Sequence, residues 1–144
     1  DVHREGMARL FAAQAAVVCR GGARDRLIAM LQAHAEAMLT HHAYETVAAQ
    51  GVQVHRFDQT TPEERETMAD LIATRDEFEG LFKSALDAAI AAGEVTPREV
   101  SISVKMMLGA LQWTLVWYRP RDGETEAERA DLARRMVASV IAGV

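Results

Sequence analysis

The 144 residues are enough for one domain with a real core, and a hydrophobic content of 49% is too high for a disordered chain. A net charge of −5 argues against non-specific nucleic-acid binding, and Cys19, the single cysteine, excludes an intrachain disulfide and a cysteine metal cluster. No secretory signal opens the chain, so a reducing, cytoplasmic setting is expected; the start at Asp1 rather than Met points to processing or to a piece of something longer.

The first half is weakly punctuated. Residues 2–20 read as a helix with Met7, Leu10, Phe11, Val17 and Val18 on one side, ended by Gly21 and Gly22. Residues 23–42 read as a second, with Leu27, Leu31, His34, Ala35, Met38 and His42 on one stripe. A short helix is expected over 44–50, stopped by Gly51, and a loop over 53–60.

The second half carries one signature three times. Thr61-Pro62-Glu63-Glu64, Thr96-Pro97-Arg98-Glu99 and Thr125-Glu126-Ala127-Glu128 are Thr-x-x-Glu capping boxes. Pro62 and Pro97 fall at first helical positions, where a missing N–H costs nothing. The first box starts a helix that stops at Gly93, a left-handed cap. The second starts one over 97–118, followed by a turn at Pro120, Asp122 and Gly123. The third starts a last helix with a doubled stripe of Leu132, Ala133, Met136, Val137, Val140 and Ile141. Period-2 patterns, repeats and low-complexity tracts are absent. The fold class expected is all-α, with five or six helices in a single domain over 1–144.

The run 100–118 is apolar on nearly every side, interrupted by Lys105 and Gln112. It is about as long as a membrane span, but a central Lys makes a buried soluble helix the better reading. A domain this small covers about half of such a helix, and a second copy of the chain would cover the rest. A homodimer is therefore expected.

Candidate chemistry is sparse. His34, Met38, His41 and His42 stand at i, i+4, i+7 and i+8, which puts His34, Met38 and either His41 or His42 along one helical edge, and His and Met suit Cu or Zn by ligand type. Without cysteine or carboxylate help, they read better as polar groups in a core or cavity, so no metal or cofactor is expected. Methionines on every major helix either fill the core or leave an adaptable cavity. Arg75, on the Met68–Ile72–Phe82 stripe, needs an anion, from a carboxylate of the protein or from a ligand. Trp113 and Trp117, one turn apart, suit a ligand or an interface. Nucleophile elbow, phosphate loop, His-Glu-x-x-His and dinucleotide fingerprint are all missing, so no enzyme is expected.

Three segments carry a resemblance: 75–79 (Arg-Asp-Glu-Phe-Glu) through Gly93, 108–113 (Leu-Gly-Ala-Leu-Gln-Trp), and 117–120 (Trp-Tyr-Arg-Pro) with the closing helix. They resemble the ligand-binding and dimerisation domain of TetR-family transcriptional repressors. Trp-x-x-x-Trp-Tyr-Arg-Pro is most similar to the branch responding to acyl-CoA thioesters of lipid or steroid breakdown. Residues 2–7 are similar to the start of the long helix after the DNA-reading head. The resemblance implies a pocket lined by the middle helices, here His34, Met38, Met68, Ile72, Arg75, Met107, Leu111 and Trp113. It also implies a four-helix dimer interface from the last two helices, here Val104, Leu108, Leu115, Trp117, Tyr118, Leu132, Met136, Val137 and Val140. The implied partners are a second copy, a small apolar or acyl-CoA-like ligand, and operator DNA only through the helix-turn-helix head that these residues lack. The competing expectations are a ligand-free helical dimer and a small His/Met metal carrier.

Overall fold

The computed structural model describes residues 2–57 and 61–144, with side chains described outside 52–57. Helices follow one another as α1 (Val2–Ala15), α2 (Ala23–Thr40), α3 (His42–Phe57), α4 (Pro62–Ala91), α5 (Val100–Gln112), α6 (Thr114–Trp117) and α7 (Glu126–Val140). No strand occurs among the described residues. The protein is all-α, with six substantial helices and the single turn α6.

Local chemistry sets most ends. At Thr61 the capping box is complete: the Glu64 N–H donates to Thr61 Oγ1 at 3.1 Å, and the Thr61 N–H donates to the Glu64 carboxylate at 3.2 Å. α4 closes in a Schellman motif. Gly93 takes φ +72°, its N–H reaches the Ile90 carbonyl and the Glu94 N–H reaches the Ala89 carbonyl, both at 3.0 Å. Thr125 caps α7 through the Glu128 N–H at 3.1 Å.

The second box behaves differently. α5 begins at Val100 with Glu99 as an N-cap that makes no side-chain bond, so Thr96 and Pro97 lie outside the helix. Val95 is buried, while Arg98 reaches the Thr96 carbonyl at 3.2 Å and the Gly143 carbonyl at 3.4 Å. These anchors hold 95–99 as a connector before the helix starts.

Two other boundaries move. α1 ends at Ala15, leaving Val18 outside the helix and 84% exposed. α3 runs through Gly51 instead of stopping there. A Cβ at Gly51 would lie 2.5 Å from the His3 ring, so this glycine admits a close approach of α1 rather than ending a helix. Of the loop expected over 53–60, residues 53–57 are helical and 58–60 lie outside the described residues.

α2 is the centre of the domain. It packs against all six other helices and buries Leu27, Met30, Leu31, His34, Ala35, Ala37, Met38 and Leu39. Phe82 and Leu86 of α4, Val104 and Leu111 of α5 and Val137 of α7 complete the driest part of the core. Each side chain of this size stabilises the fold by about 1.5–3 kcal/mol through burial.

The apolar run after Val100 is thus not the helix enclosed on every side. Val104, Met107 and Leu111 face inward from α5, and Tyr118 is buried just past α6. Ile102, Met106, Trp113, Val116 and Trp117 face out. Among the described residues, Val100–Trp117 is the one stretch long and apolar enough to cross a membrane, and only 22% of it is buried.

Candidate ligand cavity

A cavity of about 260 Å³ lies among the first six helices. α1 contributes His3, Met7 and Leu10, α2 contributes His34 and Met38, and α3 contributes Glu45, Ala48 and Ala49. The other wall comes from Leu71, Arg75, Asp76, Phe78 and Glu79 of α4, from Lys105, Leu108, Gly109 and Gln112 of α5, and from Leu115 at α6. α7 takes no part in the lining.

The polar groups in this wall are unusual. His34 sits with its ring 5.3 Å from Phe78 and 6.0 Å from Phe82, and its Nδ1 is buried without a hydrogen-bond partner. Burial, helped by the Arg75 charge, lowers its pKa to about 4, so the ring is neutral near physiological pH. Glu45 is 6% exposed, with Oε1 buried and unpartnered. Burial raises its pKa to about 7, against the pull of Arg9. Gly6 of α1 makes room for this carboxylate: a Cβ there would meet Glu45 Oε2 at 3.3 Å. Arg9 itself lies over the Tyr44 ring at 4.2 Å and bonds Glu5 at 3.4 Å.

Arg75 Nη2 donates to the neutral amide oxygen of Gln112 at 3.4 Å. No carboxylate among the described residues forms an ion pair with it. The neighbouring Lys105 is engaged by Glu79 at 3.0 Å, and Lys83 by the same carboxylate at 2.8 Å.

Of the eight residues expected at a pocket, His34, Met38 and Arg75 come together here. Met68, Met107 and Leu111 are buried but outside the lining, and Ile72 is 51% exposed. Trp113, the residue that follows α5, is 62% exposed: each step along a helix turns the side chain by about 100°, which carries it away from Gln112 and Leu108, and those two do face the cavity. Glu45 and the α1 residues were missed by sequence reasoning.

The nine residues expected at a dimer interface divide likewise. Val104, Tyr118 and Val137 are spent inside the chain's own core, and Leu108 and Leu115 line the cavity. Leu132, Met136 and Val140 are half-buried against the core. Trp117 is 46% exposed and belongs to the outward stripe with Ile102, Met106, Trp113 and Val116. The small residues Gly109 and Ala110 lie exposed in its middle.

The histidine edge of α2 is dispersed. His42 Nε2 donates to the Leu115 carbonyl at 3.2 Å and its ring meets Tyr118 edge-on at 5.3 Å, well away from the Phe78–Phe82 cage of His34. Among the described residues, no three His, Cys, Asp or Glu side chains gather at a metal-binding distance. Tyr118 also donates its hydroxyl to Glu124, and Arg119 bonds the Val116 carbonyl at 2.9 Å, closing the end of α6.

Comparison with known proteins follows the same outline. Residues 20–144 match the family model described as tetracyclin repressor-like, C-terminal domain. No curated protein sequence matches the chain. The TetR family transcriptional regulator PfmR from Thermus thermophilus superposes with a TM-score of 0.78 at 21% identity, over 99% of this chain and 72% of that one. A TetR-family member from Streptomyces coelicolor gives 0.77 at 22% identity, over 99% and 67%. A regulatory protein of the same family from Rhodococcus gives 0.66 at 20%, over 94% and 70%. At such identities the likeness is one of fold.

Proposed function

The chain belongs to the TetR family of transcriptional regulators as a tetracyclin repressor-like C-terminal domain, and we propose that it is the part that senses a small, largely apolar ligand and holds two protomers together. It is not an enzyme. The observation that carries the sensing role is the cavity of about 260 Å³ walled by six helices, with two buried, unpartnered polar groups in a wall of mixed polar and apolar side chains. An acyl-CoA or a lipid or steroid catabolite remains the class suggested by the Trp-x-x-x-Trp-Tyr-Arg-Pro segment. The volume suits the acyl or ring portion of such a molecule and leaves any nucleotide outside.

Dimerisation is supported by the exposed stripe Ile102, Met106, Trp113, Val116 and Trp117, since contiguous apolar surface of this kind marks an interaction face. Operator binding belongs to a DNA-reading head on the same polypeptide, joined ahead of α1. His3, Met7 and Leu10 place α1 in the cavity wall, so an occupant would bear directly on the helix that connects to the head. Control is a population shift: the ligand favours one spacing of the two heads over the other by several kcal/mol.

The test is a gel-shift titration of the head-containing protein on DNA flanking its own gene. A saturating cavity ligand should change operator affinity by about fivefold or more, as expected for coupling of about 1–3 kcal/mol. Unchanged operator affinity at saturating ligand would remove the regulatory reading.

A further inference from the structure

Three side chains in the cavity wall bear on what it holds, on the basis of the effector-domain reading above. His34 and Glu45 each bury a polar atom with no hydrogen-bond partner, and both face the cavity. Such atoms destabilise a fold unless something bonds them. Arg75 faces the same space with a guanidinium bound only to a neutral amide. The adjacent ammonium of Lys105 is already neutralised by Glu79, so Arg75 is the cavity's uncompensated cation among the described residues.

The placement of these groups divides the cavity. His34 and Arg75 lie close enough for the Arg75 charge to act on the ring. A neutral imidazole in its Nδ1–H tautomer and a guanidinium both donate, and two convergent donors with one positive charge suit a carboxylate. Glu45 sits on another helix, next to Gly6, and offers a buried oxygen. That oxygen suits a hydroxyl, which donates to a carboxylate and accepts from a carboxylic acid. The apolar part of the wall includes Met7, Met38 and Phe78, which fit an alkyl or aromatic body, while the Glu79 carboxylate beside it is taken up by Lys105 and Lys83. A volume of about 260 Å³ falls just below the range of roughly 300–1,000 Å³ usual for drug-sized ligands, so the occupant is compact.

We propose that the cavity binds a compact hydroxylated carboxylic acid, its carboxylate held by Arg75 and His34 and its hydroxyl by Glu45. This narrows the class named above to its free acids and sets the acyl-CoA thioester aside, because a thioester carbonyl carries no charge to offer Arg75. The hydroxyl distinguishes it from a plain fatty acid.

Calorimetric titration of the chain near neutral pH tests this with three probes: hydroxyphenylpropanoate, its methyl ester and phenylpropanoate. The hydroxy acid should bind about tenfold tighter than the ester, the gain of one charge-assisted pair, and about fivefold tighter than the deoxy acid. Arg75→Gln should erase the preference for acid over ester and keep the preference for hydroxyl. Glu45→Met should do the reverse. The comparison of probes on the unaltered chain needs no variant to fold. Equal affinity for acid and ester overturns the proposal and leaves the effector-domain reading standing. Failure of every probe to bind also overturns the proposal, and the effector-domain reading is then decided by the operator titration alone.

Discussion

Removal from water acts on His34 and Glu45 in opposite senses, and their pH dependences are correspondingly opposed. The Glu45 carboxyl is raised in the fold to about 7, so its contribution is greatest below its ordinary value and is lost as pH rises through 7. The His34 ring is lowered to about 4, so its contribution is complete above its ordinary value of 6.5 and is lost as pH falls toward 4. Across the overlap the two slopes partly cancel. Glu45→Gln should therefore unmask the histidine: urea midpoints of the variant should rise steadily as pH is raised from 4 to 6.5. Above pH 7 the same variant should melt about 2–8 °C higher than the parent, the equivalent of about 1 kcal/mol at this size. A variant whose pH profile merely parallels the parent would show that Glu45 is not buried as described. The two residues were unequally legible in the sequence. His34 stands out because it interrupts an apolar stripe at helical spacing. Glu45 lies in a weakly patterned segment, where a glutamate reads as surface, and it is buried only because Gly6, 39 positions earlier, leaves it space.

Helix ends show the same contrast between local and distant causes. Thr61 caps α4 as its pattern requires, because the Thr, Pro and Glu that make the box are all within four residues. Thr96 carries the same pattern and caps nothing, because Val95 and Arg98 are held by contacts elsewhere in the chain. The start of α2 is capped from a distance. Gly22 has no side chain to offer, and the Glu94 carboxylate accepts from the Arg24 N–H at 2.7 Å, across 70 residues. A Cβ at Gly22 would lie 2.5 Å from that carboxylate. Glu94→Ala should cost about 1 kcal/mol in denaturant unfolding, the usual value of an N-cap. Gly22→Ala should cost a similar amount by displacing the same group. The double variant should lose little more than either alone, since both remove one interaction. Additive losses would mean that the two act independently. Helical phase was harder to read than helix ends. The run after Val100 is apolar on both sides, so periodicity alone does not say which side is inside; packing against α2 and α4 decides it, and places Trp113 outside.

Over the whole molecule, the all-α class, the order of the helices and the family were legible, because caps and apolar stripes are local properties. The division of surfaces was not. It depends on which helix lies at the centre, and that place belongs to α2, not to the more apolar α5. Sedimentation of the chain should show a dimer at micromolar concentration, and Met106→Glu with Trp113→Arg should weaken it by at least tenfold, since large exposed apolar residues dominate interfaces. A parent chain that stays monomeric would remove the dimer from the account. α5 has one further property. Lys105, Leu108, Gly109 and Gln112 turn one side of it to the cavity, while Ile102, Met106 and Trp113 turn the other side to the proposed partner. Gly109, with no atom within 4 Å of where a Cβ would stand, belongs to both sides and is the thinnest part of the wall. With the outer side paired, ligand uptake and self-association are thermodynamically reciprocal. The affinity measured for a ligand then becomes a function of how much protein is in the tube, and a titration at nanomolar chain reports a different constant from one at tens of micromolar.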